Sequence, residues 1–139
     1  AGLVAICAEA IAIMDVIRDE TLEYLRTRKQ FGQPIGQFQV LKHRMAEDEC
    51  HVEAARLLMY NAATKLARGE GALKEVSIAK VYAADTAFKV ATDGMQALGG
   101  YAQLPEYDME RYFREAKHAM VGGGTNEIQH SIIAKQMGL

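Results

Sequence analysis

The side chains best suited to chemistry fall in a few short stretches. Glu47, Asp48, Glu49, His51 and Glu53 crowd residues 47–53. Asp48 with His51, like Glu127 with His130, has the acid-x-x-His spacing by which one helix can project two metal ligands into a bundle. A two-metal site also needs inward acids from other helices. Because Glu47, Glu49 and Glu53 fall on the polar side of their segment, the cluster reads as a solvated charged face. His43 and His118 read the same way. A second stretch is Gly122, Gly123 and Gly124 before Thr125. Glycines admit a ligand close to the backbone, and a following helix offers free N–H groups and the positive end of its dipole to an anion. A plain helix-to-helix turn explains the triplet equally well. Cys7 and Cys50 lack the charged context that activates a thiol and read as packing residues. Arg26, Arg28 and Lys29 suit the negative end of a helix dipole.

These groups must be positioned by helices. Leu3, Ile6, Cys7, Ala10, Ile13, Met14, Ile17, Tyr24 and Leu25 recur at three- and four-residue spacing and predict an amphipathic helix to about Lys29. Gly32, Pro34 and Gly36 interrupt it, so QFGQPIG is expected to be a loop. From about Gln37, Leu41, Met45, Val52, Ala55, Met59, Ala62 and Leu66 form a near-heptad seam that stops near Gly69 and Gly71. A third helix, about 72–98, carries Ala, Val and Phe on several faces and must be mostly buried. YAQLPEYD is a turn-rich connection, followed by a helix from about Tyr107. The glycine triplet ends that helix, and Thr125 or Asn126 caps a last one, Gln129 completing a capping box with Asn126. Met14, Met45, Met59, Tyr60, Tyr82, Phe88 and Met95 are expected in the core. The fold class is all-α, an antiparallel four-helix-type bundle of three long and two shorter helices.

The 139 residues are 50% hydrophobic and 24% charged, enough for one folded domain and incompatible with disorder throughout. A net charge of -2 gives no general attraction for nucleic acid or anionic lipid. No uncharged apolar run is long enough to suggest a membrane span. The two cysteines and the absence of a secretion-signal pattern set cytoplasmic localisation as the expectation. The chain starts inside an apolar helical pattern without Met, which reads as a single helical domain, residues 1–139, cut from the C-terminal part of a longer protein.

Four segments together carry a resemblance. RTRKQFGQPIGQFQ (26–39), QALGGYA (96–102), EYDMERYFREAK (106–117) and GGGTNEIQ (122–129) are similar, in order and spacing, to the C-terminal helical domain of the acyl-CoA dehydrogenase family. That family joins an N-terminal helical domain, a middle β domain and this bundle, usually as dimers of dimers. The resemblance implies an FAD-dependent enzyme that removes the α and β hydrogens of an acyl-CoA thioester and passes electrons to an electron-transferring flavoprotein. It puts Arg28 near the pyrophosphate of a neighbouring subunit's FAD, Gln30 and Phe31 beside it and Gln39 at the cofactor. It assigns Gln96, Gly99 and Gly100 to the adenosine diphosphate portion, and Thr125 and Glu127 to FAD in the same subunit. A guanidinium fork and close-approach glycines suit these tasks.

The chain departs from the family where the reaction needs a base. Many members carry it as the glutamate of Ile-Tyr-Glu-Gly-Thr, a position occupied here by Gly123. Others place it on the first bundle helix, at the position of Gly2. Glycine accepts no proton, and Glu9 and Asp15 lie about two and nearly four turns too far along that helix. The base is therefore expected upstream, in another subunit, or in the partner of a hetero-oligomer to which this chain contributes structure and half of a cofactor pocket. A related enzyme in which the flavin serves another step stays open, and His130 replaces the family's usual Arg. The isolated 139 residues are expected to bind FAD weakly.

Overall fold

The computed structural model describes residues 2–139. Five helices follow one another: α1 (Gly2–Thr27), α2 (Gln39–Ala67), α3 (Leu73–Leu98), α4 (Met109–Ala119) and α5 (Asn126–Gln136). The bundle expected from the apolar spacing is present, with α3 at its centre. Its buried residues include Val76, Ala79, Ala83, Ala84, Ala87, Val90, Ala91, Ala97 and Leu98, which a helix exposed along one side would not hide. Cross-helix contacts fix the directions. Asp48 meets Lys89 at 2.6 Å and Arg44 meets Asp93 at 3.4 Å, so α2 runs antiparallel to α3. The Phe88 and Phe113 rings stack at 5.0 Å, and Lys80 reaches the carbonyl of Met120, so α4 is antiparallel to α3 as well.

A close approach of three helices is built on Gly94. A methyl group there would lie 2.9 Å from Ile17 Cγ2, 3.1 Å from Met109 Sδ and 3.2 Å from Thr21 Oγ1. α1, α3 and α4 meet at this point, where only a hydrogen fits.

The segment expected to be a plain loop is more regular. α1 stops at Thr27, whose hydroxyl donates to the Glu23 carbonyl. Two-residue strands β1 (Lys29–Gln30) and β2 (Gln33–Pro34) then pair antiparallel, Gln30 opposite Gln33. Phe31 and Gly32 turn the hairpin with φ of 55° and 79°, the signature of a type I′ turn. No alternating pattern announces strands this short, because two residues cannot show a period.

Three side chains sit otherwise than expected. Tyr60 and Cys50 are exposed rather than in the core, since the α2 seam turns them outward. Asp48, grouped with the solvated acids, is buried. It occupies the seam position between Met45 and Val52 that the apolar residues skip. The capping box also differs: Thr125 is the N-cap, accepting weakly from Ile128 N at 3.5 Å, while Gln129 donates back to the Gly123 carbonyl.

Candidate functional site

The nine residues singled out for the cofactor separate into two sets. Arg28 follows α1, Gln30 and Phe31 belong to the hairpin, Gln39 opens α2, and Gln96, Gly99 and Gly100 close α3. The antiparallel register of α2 on α3, with residue 44 opposite 93 and 48 opposite 89, carries Gln96 to the level where α2 begins. Seven residues from three segments thus share one end of the bundle. Thr125 and Glu127 do not join them. Asn126, between them, is bonded to Lys80 and Asp85. Residue 80 lies sixteen residues before Gln96, about 24 Å along α3 at 1.5 Å per residue.

At the hairpin end, Phe31 projects with 90% of its surface exposed. A bulky residue at positive φ is strained, and among the described residues its aromatic neighbour is Phe38, edge-on at 6.0 Å. The Arg28 guanidinium lies 5.2 Å from the centre of the Tyr101 ring and forms no ion pair among the described residues. Tyr24 and Tyr107 complete an aromatic cluster below it. The cleft beside Arg28, about 500 Å³, also exposes Glu20, Glu23, Glu106 and Asp108. Such a lining repels phosphate, so an anion has to meet the guanidinium from outside the cleft. Gly99, at φ 59°, and Gly100 have nothing within 4 Å of where a Cβ would stand, which leaves the backbone open to a close ligand.

At the other end, the turn between α4 and α5 contains Gly123 at φ 66° and Gly124 at φ 98°. A Cβ on Gly123 would stand 2.5 Å from Ile6 Cδ1 and 2.8 Å from Leu3 Cδ2. The residue-123 backbone is therefore pressed onto the start of α1. Gly2 lines the same open groove, of about 530 Å³, together with Leu3, Ile6, Leu66, Ala72, Leu73, Val76 and Gly123. The two positions at which the family resemblance seeks a base thus converge on one groove, and among the described residues no lining side chain there is an acid or base. A smaller cavity behind it, about 130 Å³, does hold Glu9, Glu115 and His118. Glu127 stands in the first turn of α5, where backbone N–H donation and the Thr125 hydroxyl hold its carboxyl below the usual range.

The acid and histidine pairs do not converge. Asp48 Oδ1 accepts from Lys89, whereas His51 Nδ1 bonds the Tyr82 hydroxyl at 2.9 Å. Among the described residues no group of three or more His, Cys, Asp and Glu side chains comes together to hold a metal. Asp48 instead joins Lys89, Asp93 and Arg44 in a network between α2 and α3. Burial pushes its carboxyl up to about 6, against the lowering effect of Lys89 and with the help of Asp93. Its Oδ2 finds no partner within the protein.

One polar residue that the sequence reading passed over is Lys80, 1% exposed in the middle of α3. Its Nζ donates to Asn126 Oδ1 at 2.8 Å and to the Met120 carbonyl at 3.2 Å. The signal was available: one cation in an otherwise apolar run, SIAKVYAA, three residues before Ala83 and four after Val76.

Residues 3–138 match the family model for the acyl-CoA dehydrogenase C-terminal domain. The chain belongs to the acyl-CoA dehydrogenase family. Butyryl-CoA dehydrogenase from Megasphaera elsdenii superposes with a TM-score of 0.97 at 34% identity, covering 99% of this chain and 36% of that one. A solved FAD complex of PigA superposes at 0.92 with 32% identity, over 96% of this chain and 35% of that one. A 3-(aryl)acrylate reductase of Clostridium sporogenes is 38% identical over 136 residues, which are 98% of this chain and 36% of the relative. The chain thus spans about a third of the length of the acyl-CoA dehydrogenase relatives it matches. Among the described residues, no helix is long and apolar enough to cross a membrane.

Proposed function

We propose that these residues form the C-terminal domain of a longer, cytoplasmic FAD-dependent acyl-CoA dehydrogenase that converts an acyl-CoA thioester to its 2-enoyl-CoA and gives the electrons to an electron-transferring flavoprotein. The observation that carries this reading is the hairpin end: a strained aromatic tip at Phe31, 90% exposed, beside an ion-pair-free Arg28 and two open glycines. An exposed aromatic held at positive φ invites a flat partner, and an unpaired guanidinium invites a phosphate. Arg28, Gln30, Phe31, Gln39, Gln96, Gly99 and Gly100 would hold the FAD of a neighbouring subunit. Thr125 and Glu127 would hold FAD within the same subunit. The separation of the two sets along α3 supports two cofactors rather than one, and hence a dimer or tetramer. Glu127, an anion at a helix N-terminus, suits hydroxyl or N–H donors of the nucleotide better than its phosphates. When bound, FAD would take up the β hydrogen as hydride.

A second reading has its own support. Among the described residues, the groove shared by Gly2 and Gly123 has no acidic or basic side chain in its lining, so those residues can bind an acyl group but cannot remove its α proton. In that reading the chain is the base-lacking subunit of a hetero-oligomer. The test is to purify the whole protein with FAD and add acyl-CoA without oxygen. Loss of the flavin absorbance on its own supports a complete enzyme whose base comes from outside these residues. Loss only in the presence of a co-encoded partner supports the second reading, and a protein that holds no FAD overturns both.

A further inference from the structure

The α4–α5 turn is tied at both ends to one buried ammonium. The Met120 carbonyl, just past α4, accepts both from Lys80 Nζ at 3.2 Å and from Asn126 N at 3.1 Å. Asn126, the first residue of α5, accepts at Oδ1 from Lys80 Nζ at 2.8 Å and donates through Nδ2 to Asp85 Oδ1 at 2.7 Å. Both ends of the five-residue turn, 121–125, are therefore tied to one side chain on α3. Other ties on the turn are local or weak: residues 121 and 122 donate to the His118 carbonyl within the end of α4, and Gln129 reaches the Gly123 carbonyl at 3.4 Å. Three of its five residues are glycines, two of them at positive φ, and Val121 and Gly123 are exposed. A tie so deeply buried is costly, because an ammonium out of water needs its donors satisfied. A fold needing only to close a turn would be served as well by an apolar contact at this position.

We propose that Lys80 is a positioning residue for the nucleotide end of the domain: by holding the Met120 carbonyl and the Asn126 side chain together, it sets the place from which Thr125 and Glu127 meet the flavin nucleotide. Lys80 itself touches neither Thr125 nor Glu127 through its hydrogen bonds and acts through Asn126. The proposal rests on the cofactor reading above for what those two residues do, while the tie itself can be measured without any cofactor.

The experiment compares Lys80→Met with the double variant Lys80→Met, Asn126→Leu in the whole protein. Three readouts are taken: amide hydrogen exchange of residues 121–128, FAD affinity with the flavin absorption band, and thermal midpoint. Lys80→Met should speed exchange in 121–128 roughly tenfold or more and weaken FAD binding roughly tenfold to a hundredfold, as a buried amide and carbonyl lose a charged partner. The double variant removes the orphaned amide as well, so its midpoint should recover toward the native value while exchange stays fast and FAD stays weak. Recovery of all three together would show that Lys80 serves packing alone and would overturn the proposal, as would unchanged exchange in Lys80→Met. Should the single variant fail to fold, the double variant decides by the same criteria. If the native protein binds no FAD, the cofactor reading fails, and the exchange data still decide whether Lys80 holds the turn.

Discussion

The two ends of the bundle solve opposite problems. The hairpin end displays its residues: Phe31 stands in solvent, Gln30, Gln39, Gln96, Gly99 and Gly100 are exposed, and Arg28 leans on a tyrosine ring with no ion pair among the described residues. The glycine-turn end is fixed from inside, by a buried lysine, a buried asparagine and a buried glutamine that bonds the turn. The first end leaves its residues open to solvent, whereas the second carries its order within one chain. Mutations should therefore separate stability from ligand binding at the first end and couple them in the glycine turn of the second.

The largest effect tests that coupling. A side chain at residue 123 meets Ile6 and Leu3 and must adopt positive φ, so Gly123→Glu should cost about 2 to 4 kcal/mol of stability. Gly2→Glu, with nothing within 4 Å of its Cβ and lining the same groove, should be nearly neutral by denaturant unfolding. On the reading that the groove takes the acyl group, only Gly2→Glu should add flavin bleaching by acyl-CoA to a protein that lacks it. Equal stability of the two variants would break the contrast.

A smaller effect belongs to the network between the ends. The Asp48 carboxyl holds its proton more tightly in the fold, at about 6, than in the unfolded chain, near 3.8. Its contribution favours the fold while protonated and is lost as pH rises from about 4 through about 6, by roughly 1 to 3 kcal/mol. The stability of the native protein relative to Asp48→Asn should fall across that window in urea titrations, and a flat or rising difference refutes the assignment.

Smaller still, Phe31→Ala should change stability by less than about 0.5 kcal/mol, since the ring buries little. It should nevertheless weaken FAD binding in the assembled protein roughly tenfold, read by fluorescence titration. The smallest perturbation is chemical: a thiol reagent should modify exposed Cys50 in the native protein and leave Cys7 untouched until unfolding. Burial hides Cys7 and pushes its thiol up to about 11.

Periodicity made the helices legible because each long one repeats its apolar spacing over many turns. It missed the hairpin, too short to have a period, and Asp48 and Lys80, which occupy seam positions where only a three-dimensional partner shows why a charge is tolerated. The family motifs placed all nine candidate cofactor residues on the chain but not in space. Their division between two ends follows from the directions of α2, α3 and α4, which depend on contacts such as Asp48 with Lys89 that no local pattern encodes.

The close approach at Gly94 sets a rule for how this sequence can drift. Ile17, Thr21 and Met109 already occupy the space a methyl group would claim. A lineage that gains alanine at residue 94 must therefore shed volume at one of those three partners or spread the helices apart. Substitutions at the four sites should be inherited in compensating sets, so a lone exchange at residue 94 should be scarce among descendants that keep the same helix spacing.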